Sequence, residues 1–277
     1  MKLPPLLALL CLGVSPLLLA AESVPADQLP PAVWKTIQAQ SNGRQPSSIQ
    51  KEDAAGTAVF EVVFAAGGDE ERTLAVGGDG TLLSAEISLT EAPAAVQKTI
   101  AAQLGDSALD GIERASEDGE TTYDVDFTTT AGEERSLSVA EDGTLLSIQV
   151  GIDEIPPAVQ TTIKGNVADG KITQIEKTFD EKTVTYDVGF IPKSGSEQSF
   201  TVADDGRLVN MEITLDQSTA AAQKTIKNRI GNGRILRVSA VFGEEKKVAS
   251  YEVEGVRDGK PVGFKVGTKG KFLGTLD

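Results

Sequence analysis

The apolar positions of this chain follow two alternating periods. Short stretches repeat at i, i+4 and i+8, as in Val96, Ile100, Leu104 and again in Val159, Ile163, Val167. That spacing puts the apolar side chains on one face of a helix of about three turns. A glycine-bearing turn follows each stretch, containing Gly43, Gly105, Gly170 or Gly233. The period then drops to two, the spacing of strands with one buried face. First strands carry Ile49, Ile112, Ile175 and Val238, and second strands alternate Phe60, Val62, Phe64, then Tyr123, Val125, Phe127, then Tyr186, Val188, Phe190, then Tyr251, Val253. Third strands carry Leu74 and Val76, Leu137 and Val139, Phe200 and Val202, Phe264 and Val266. Fourth strands alternate Leu83, Ala85, Ile87, Leu89 and, later, Val209, Met211, Ile213, Leu215. Between third and fourth strands stand Asp79-Gly80, Asp142-Gly143, Asp205-Gly206 and Lys269-Gly270. Asp-Gly between alternating strands predicts a tight hairpin in which both central residues take φ > 0.

The pattern is a repeat. Pro30-Pro31-Ala32-Val33-Trp34-Lys35-Thr36-Ile37 returns as Pro93 to Ile100, as Pro156 to Ile163 and, more weakly, as Thr219 to Ile226, and the four isoleucines are each 63 residues apart. The predicted fold class is α+β: four tandem modules, each one helix packed on a four-stranded antiparallel sheet. The expected boundaries are a signal peptide over 1–21, an N-terminal linker over 22–28, and modules over 29–90, 91–153, 154–216 and 217–277. A unit of this size buries a small core, and short links such as Thr90-Glu91-Ala92 predict that neighbouring modules pack in a fixed arrangement.

Composition narrows the chemistry. Lys2, the apolar run Leu3 to Leu19 and the small residues Ala20-Ala21 have the three parts of a secretory signal, so the chain is expected in the periplasm or outside the cell. The single cysteine, Cys11, lies within that segment, and the sequence contains no histidine. The exported part therefore offers no disulfide, no Ser-His-Asp or Cys-His machinery and no His or Cys zinc site; no cofactor and no metal are expected. No later run is long enough for a membrane span. From Glu22 to Asp216 there are 35 acidic and 13 basic residues, and from Gln217 onward 12 basic and 6 acidic. An acidic body of this kind repels nucleic acid and anionic membrane, whereas the basic last module suggests salt-sensitive self-association with an acidic region of another copy.

The Leu-Pro-Pro-Ala-Val helix, the Tyr-x-Val strand and the Asp-Gly hairpin before a leucine-rich strand resemble the PepSY-like, or β-lactamase-inhibitor-like, domains. The resemblance implies a periplasmic or secreted binding module, with the modules paired as inhibitor-like units and docking through a concave sheet face. The chain departs from the inhibitor pattern in having four copies, no disulfide and few aromatics on the presumed open face, so no contact residue is carried over.

The polar side of the second strands is acidic: Glu61, Asp124 and Asp126, Asp187, Glu252 and Glu254. Residues two apart on a strand share a face, so these six form a candidate protein-binding face. A solvated face that keeps the sheet soluble and a carboxylate pair for hydrolysis are the competing readings. The Asp-Gly turns lack the alternating ligands and distant glutamate of a calcium loop. Trp34, where other copies have Gln97 and Gln160, either anchors a partner or packs under Val24 to Leu29. The function expected is exported, non-enzymatic protein binding, with enzyme or peptidase inhibition as its specific form. A self-assembling envelope repeat is the alternative, and a carboxylate hydrolase the remote one.

Overall fold

The computed structural model describes residues 22–41, 43–54, 57–67, 70–117, 119–180, 183–193, 195–243 and 246–276. The expected signal peptide, over 1–21, lies outside these residues. The chain forms two compact units that part between Leu146 and Ser147.

The first unit begins with the short strand β1 (Glu22–Ser23), helix α1 (Pro31–Gln40) and strands β2 (Pro46–Ala54), β3 (Thr57–Gly67), β4 (Glu70–Gly77) and β5 (Leu82–Glu86). Helix α2 (Ala94–Leu104) follows, then β6 (Ala108–Glu117), β7 (Glu120–Thr128), β8 (Glu134–Ala140) and the start of β9 (Leu145–Gln149). The second unit takes in the rest of β9, helix α3 (Pro157–Val167) and strands β10 (Lys171–Asp180), β11 (Thr183–Ile191), β12 (Gln198–Ala203) and β13 (Leu208–Glu212). It ends with helix α4 (Ala220–Ile230), β14 (Arg234–Phe242), β15 (Val248–Arg257), β16 (Lys260–Gly267) and β17 (Phe272–Thr275).

Each helix covers the apolar face of the strands that follow it. In the first repeat Val33 and Ile37 of α1 pack with Ile49, Phe60, Val62, Phe64, Leu74 and Val76. The third repeat does the same with Val159, Ile163, Val167, Ile175, Tyr186, Val188, Phe190, Phe200 and Val202. Trp34 is half-buried and packs against the first core, to which Leu29 belongs and against which Val24 also packs. The glutamine it replaces has another job. Gln97, Gln160 and Gln223 donate their amide to the carbonyls of Ala92, Ile155 and Ser218, tying each helix to the chain entering it.

The four-sheet expectation needs correction. The last strand of one repeat pairs with the first strand of the next: Ala85↔Arg114 between β5 and β6, Ile148↔Lys177 between β9 and β10, and Met211↔Ala240 between β13 and β14. The repeats therefore share antiparallel sheet instead of holding four separate ones. The reason is edge chemistry: an unpaired fourth strand would expose a row of N–H and C=O groups, and the next repeat supplies their partners. The stretch 22–28, expected as a linker, also carries structure. Glu22 and Ser23 pair with Lys51 and Gln50, and Ala26–Gln28 forms a 3-10 turn.

The hairpin turns also differ from expectation. Gly80, Gly143, Gly206 and Gly270 take φ of 80 to 91°, and no preceding Asp or Lys joins them at positive φ. Each turn closes with Gly80 N–H on Gly77 O or its equivalent, and Gly77 N–H returns to Thr81 O across a bulge. This is a three-residue loop with a glycine bulge. The aspartate is there for its side chain, since Oδ1 of Asp79, Asp142 and Asp205 accepts the N–H of Thr81, Thr144 and Arg207. The turn then docks on the helix, because Thr36, Thr99, Thr162 and Thr225 donate their hydroxyls to the glycine carbonyls at 2.6, 2.6, 2.6 and 2.7 Å. Thr99→Val keeps the shape and removes this bond. It is expected to cost about 1 kcal/mol, read as a lower denaturation midpoint in urea.

Candidate functional site

Alternation along the strands sends the core residues toward the helices and the residues between them to the opposite face. In the first unit the open face of β5, β6 and β7 carries a row of three carboxylates. Glu86 lies across from Glu113, and Glu113 lies across from Asp124. Asp126 sits two residues along β7, opposite Gly111 and Ser136. Partial burial pushes the carboxyl of Asp124 up, and Glu113 and Asp126 push it further while a hydrogen bond from Ser138 opposes them. Asp126 is raised by burial as well, then by Asp110, Glu113 and Glu134. Like charges directly opposite on a sheet destabilise it, so this face carries repulsion of its own.

The six sequence-derived positions do not behave alike. Asp124 and Asp126 come together as the spacing implies, joined by Glu86 and Glu113. Glu61 is exposed on β3, opposite Gln50 and Ala75. Asp187 in the second unit is half-buried and accepts hydrogen bonds from Thr201 at 2.5 Å and Thr178 at 3.3 Å. Burial raises its carboxyl, and those two bonds and Arg237 pull the other way. Glu252 pairs with Lys265 at 2.9 Å and Glu254 with Arg237 at 2.6 Å. The acidic face is thus open in the first unit and largely matched within the second. Glu86 and Glu113 lie on a fourth and a first strand, so the acidic pattern of the second strands does not include them. Their alternation beside Ala85 and Ile112 was the available signal.

Asp124 also makes a test. Its carboxyl is harder to ionise in the folded chain than in the unfolded one, so the charged form costs stability at neutral pH. Asp124→Asn is expected to raise the melting temperature at pH 7 by about 1–3 °C. The gain should close as pH falls through the raised carboxyl range, where the wild-type group takes up its proton. Melting curves across pH 4 to 8 check the sign, with pH limits set by the ordinary carboxylate range.

Among the described residues no group of three or more Asp or Glu side chains is placed to hold a metal ion, and no helix is long and apolar enough to cross a membrane. Two shallow clefts of about 330 and 340 Å³ lie between helix and hairpin turn, and each is lined by one carboxylate, Asp142 in the first and Asp79 in the second.

A helix on an antiparallel meander, given four times with one apolar and one polar sheet face, defines a tandem α+β repeat protein. The chain belongs to the PepSY-like family: the family model described as "Putative beta-lactamase-inhibitor-like, PepSY-like" matches residues 58–147 and 146–210. Membership makes it an exported protein, periplasmic or secreted, and indicates no catalytic family. No curated protein matches the chain. Solved structures similar to it include a "putative periplasmic protein" of the DUF2874 family from Bacteroides vulgatus ATCC 8482, at 16% identity and a TM-score of 0.32. Another is a "putative calcium-regulated periplasmic protein" from Bacteroides thetaiotaomicron, at 20% identity and a TM-score of 0.33. Each covers 47% of this chain and 97% of the other.

Proposed function

We propose that the chain is a non-enzymatic binding protein that docks a basic protein partner on the open sheet face of its first unit. The observation that carries this reading is the row Glu86, Glu113, Asp124, with Asp126 beside it. None of these four acids forms an ion pair with a lysine or arginine among the described residues. The comparable acids Glu252 and Glu254 are ion-paired within the chain, which leaves the first unit as the docking face. Family membership supports the binding class, and inhibition of an enzyme or peptidase is the form it would take if the partner is one. A hydrolase would need a cleft enclosing two carboxylates; the two clefts described hold one each.

The quadruple variant Glu86→Gln, Glu113→Gln, Asp124→Asn, Asp126→Asn removes the charge and keeps the shape. Captured partner should fall by tenfold or more, in line with the cost of losing charge-assisted contacts, while the melting temperature stays level or rises. Retention of the partner at full strength by this variant would refute the assignment.

A further inference from the structure

At three places the chain repeats one junction, in which a fourth strand meets the first strand of the following repeat. The hydrogen-bonded pairs are Ala85↔Arg114, Ile148↔Lys177 and Met211↔Ala240. Two residues further on, Ile87, Val150 and Ile213 donate their N–H to Ile112, Ile175 and Val238 at 2.9 Å. The segment before α1 reproduces this junction. Glu22 stands opposite Lys51, the counterpart of Arg114, and Val24 donates its N–H to Ile49 O at 3.0 Å. The 3-10 turn Ala26–Gln28 follows where Leu89–Glu91, Ile152–Glu154 and Leu215–Gln217 follow the complete fourth strands. β1 is therefore the tail of a fourth strand, two residues long against five in β5, β9 and β13, laid on the edge of β2.

The other end holds the complementary part. β17 is a fourth strand, pairing Phe264↔Thr275 and Lys265↔Gly274 as β12 and β13 pair Phe200↔Met211 and Thr201↔Asn210. Leu276 N–H bonds Gly263 O, so Thr275, one residue away, turns its N–H and C=O from β16 to the outer edge. Thr275 is thus the counterpart of Ala85, Ile148 and Met211, and it is exposed.

We propose that β17 of one copy pairs with the β2 edge of a second copy, displacing β1 and setting Thr275 opposite Lys51 in the register of the internal junctions. The occupant is a second copy because its β17 has the phase that the first strands β6, β10 and β14, the counterparts of β2, accept within the chain. Charge agrees, since the last repeat is net basic and the chain before it strongly acidic, an arrangement that attracts unlike ends. β1 competes for the same edge, so it sets how readily copies join. This contact uses strand edges and is independent of the acidic face proposed for partner binding.

Two proline variants separate the parts. Thr275→Pro deletes the outward N–H that would stand opposite Lys51 and leaves the β16–β17 ladder whole. Val24→Pro deletes the bond from Val24 N–H to Ile49 O, one of those that hold β1 to β2. Sedimentation velocity of the purified exported chain at low salt, over a range of concentrations, reads the result. The wild type should shift from one-chain toward two-chain and longer species as concentration rises. Val24→Pro should make that shift at lower concentration, and Thr275→Pro should abolish it alone and in the double variant. One-chain behaviour of both wild type and Val24→Pro at every concentration would overturn the proposal. So would a double variant that associates as strongly as Val24→Pro.

Discussion

Gly143→Ala should unfold the protein far more easily than its single methyl group suggests. Gly143 lies at φ 88°, and a Cβ there would meet the carbonyl carbon, Cβ and oxygen of Ala95 at 2.9 Å each. The conformation alone costs an L residue about 1 kcal/mol. The contact adds more, because the obstructing atoms are helix backbone and cannot rotate aside; relief requires α2 to lift off the sheet. A total of about 3 kcal/mol or more is expected. Gly132 supplies the control, with φ 82° and nothing within 4 Å of an added Cβ, so Gly132→Ala should cost about 1 kcal/mol. Urea denaturation of both variants decides the point. Equal losses would show that the helix does not rest on the turn as described. The same approach recurs at Gly80 on Ala32, Gly206 on Ala158 and Gly270 on Ala221, which makes it a property of the repeat.

The second large effect lies in the core of the third repeat. Ile163 has no exposed surface and sits in a core with Tyr186, Val188 and Phe200. Ile163→Ala removes three carbons from a site bounded by one helix and one sheet, where little can move in to fill the space. The expected loss is about 3–4 kcal/mol, against about 1 kcal/mol for Ile163→Val. A domain holds a net stability of about 5–15 kcal/mol, so the alanine variant should unfold at a markedly lower urea concentration. A loss below about 1 kcal/mol would mean that α3 is not packed on the sheet as described.

The sequence announces the repeat and its strands because every strand has one buried face, and a period of two survives in Phe60, Val62, Phe64 and its copies. Helix position was equally legible from Val96, Ile100 and Leu104, all buried. The joining of repeats through shared sheet was not. Its contacts are backbone hydrogen bonds between strands whose facing residues are Ser84, Ala85 and Glu86 with Ala115, Arg114 and Glu113, and such bonds leave no apolar signature. The turn was misjudged because Asp-Gly fits both a two-residue loop and a bulged three-residue one. Asp258-Gly259, between β15 and β16, has both residues at positive φ, 54° and 75°, the two-residue form expected of the turns between third and fourth strands. A second irregularity, where the β4–β5 register shifts between Ala75 and Val76, changes the phase within the fourth strand, so that Leu82 packs against the first core alongside Ala85, where Leu83 was expected.

For the candidate site, alternation placed the acidic residues on one kind of face, yet it could not say which are neutralised. Lys265 meets Glu252, and Arg237 meets Glu254, across neighbouring strands. That depends on register, which the turn and its bulge set. The same dependence hid the row formed by Glu86, Glu113 and Asp124, whose members lie on three different strands.

The central claim is that the first unit's acidic face binds a basic protein partner. The direct test is capture from periplasmic or secreted extract at physiological salt, with the exported chain as bait beside its Glu86→Gln, Glu113→Gln, Asp124→Asn, Asp126→Asn variant. A stoichiometric partner held by the wild type and lost from the equally folded variant is the predicted result. A partner retained equally by both, or no partner other than further copies of the chain itself, would contradict it.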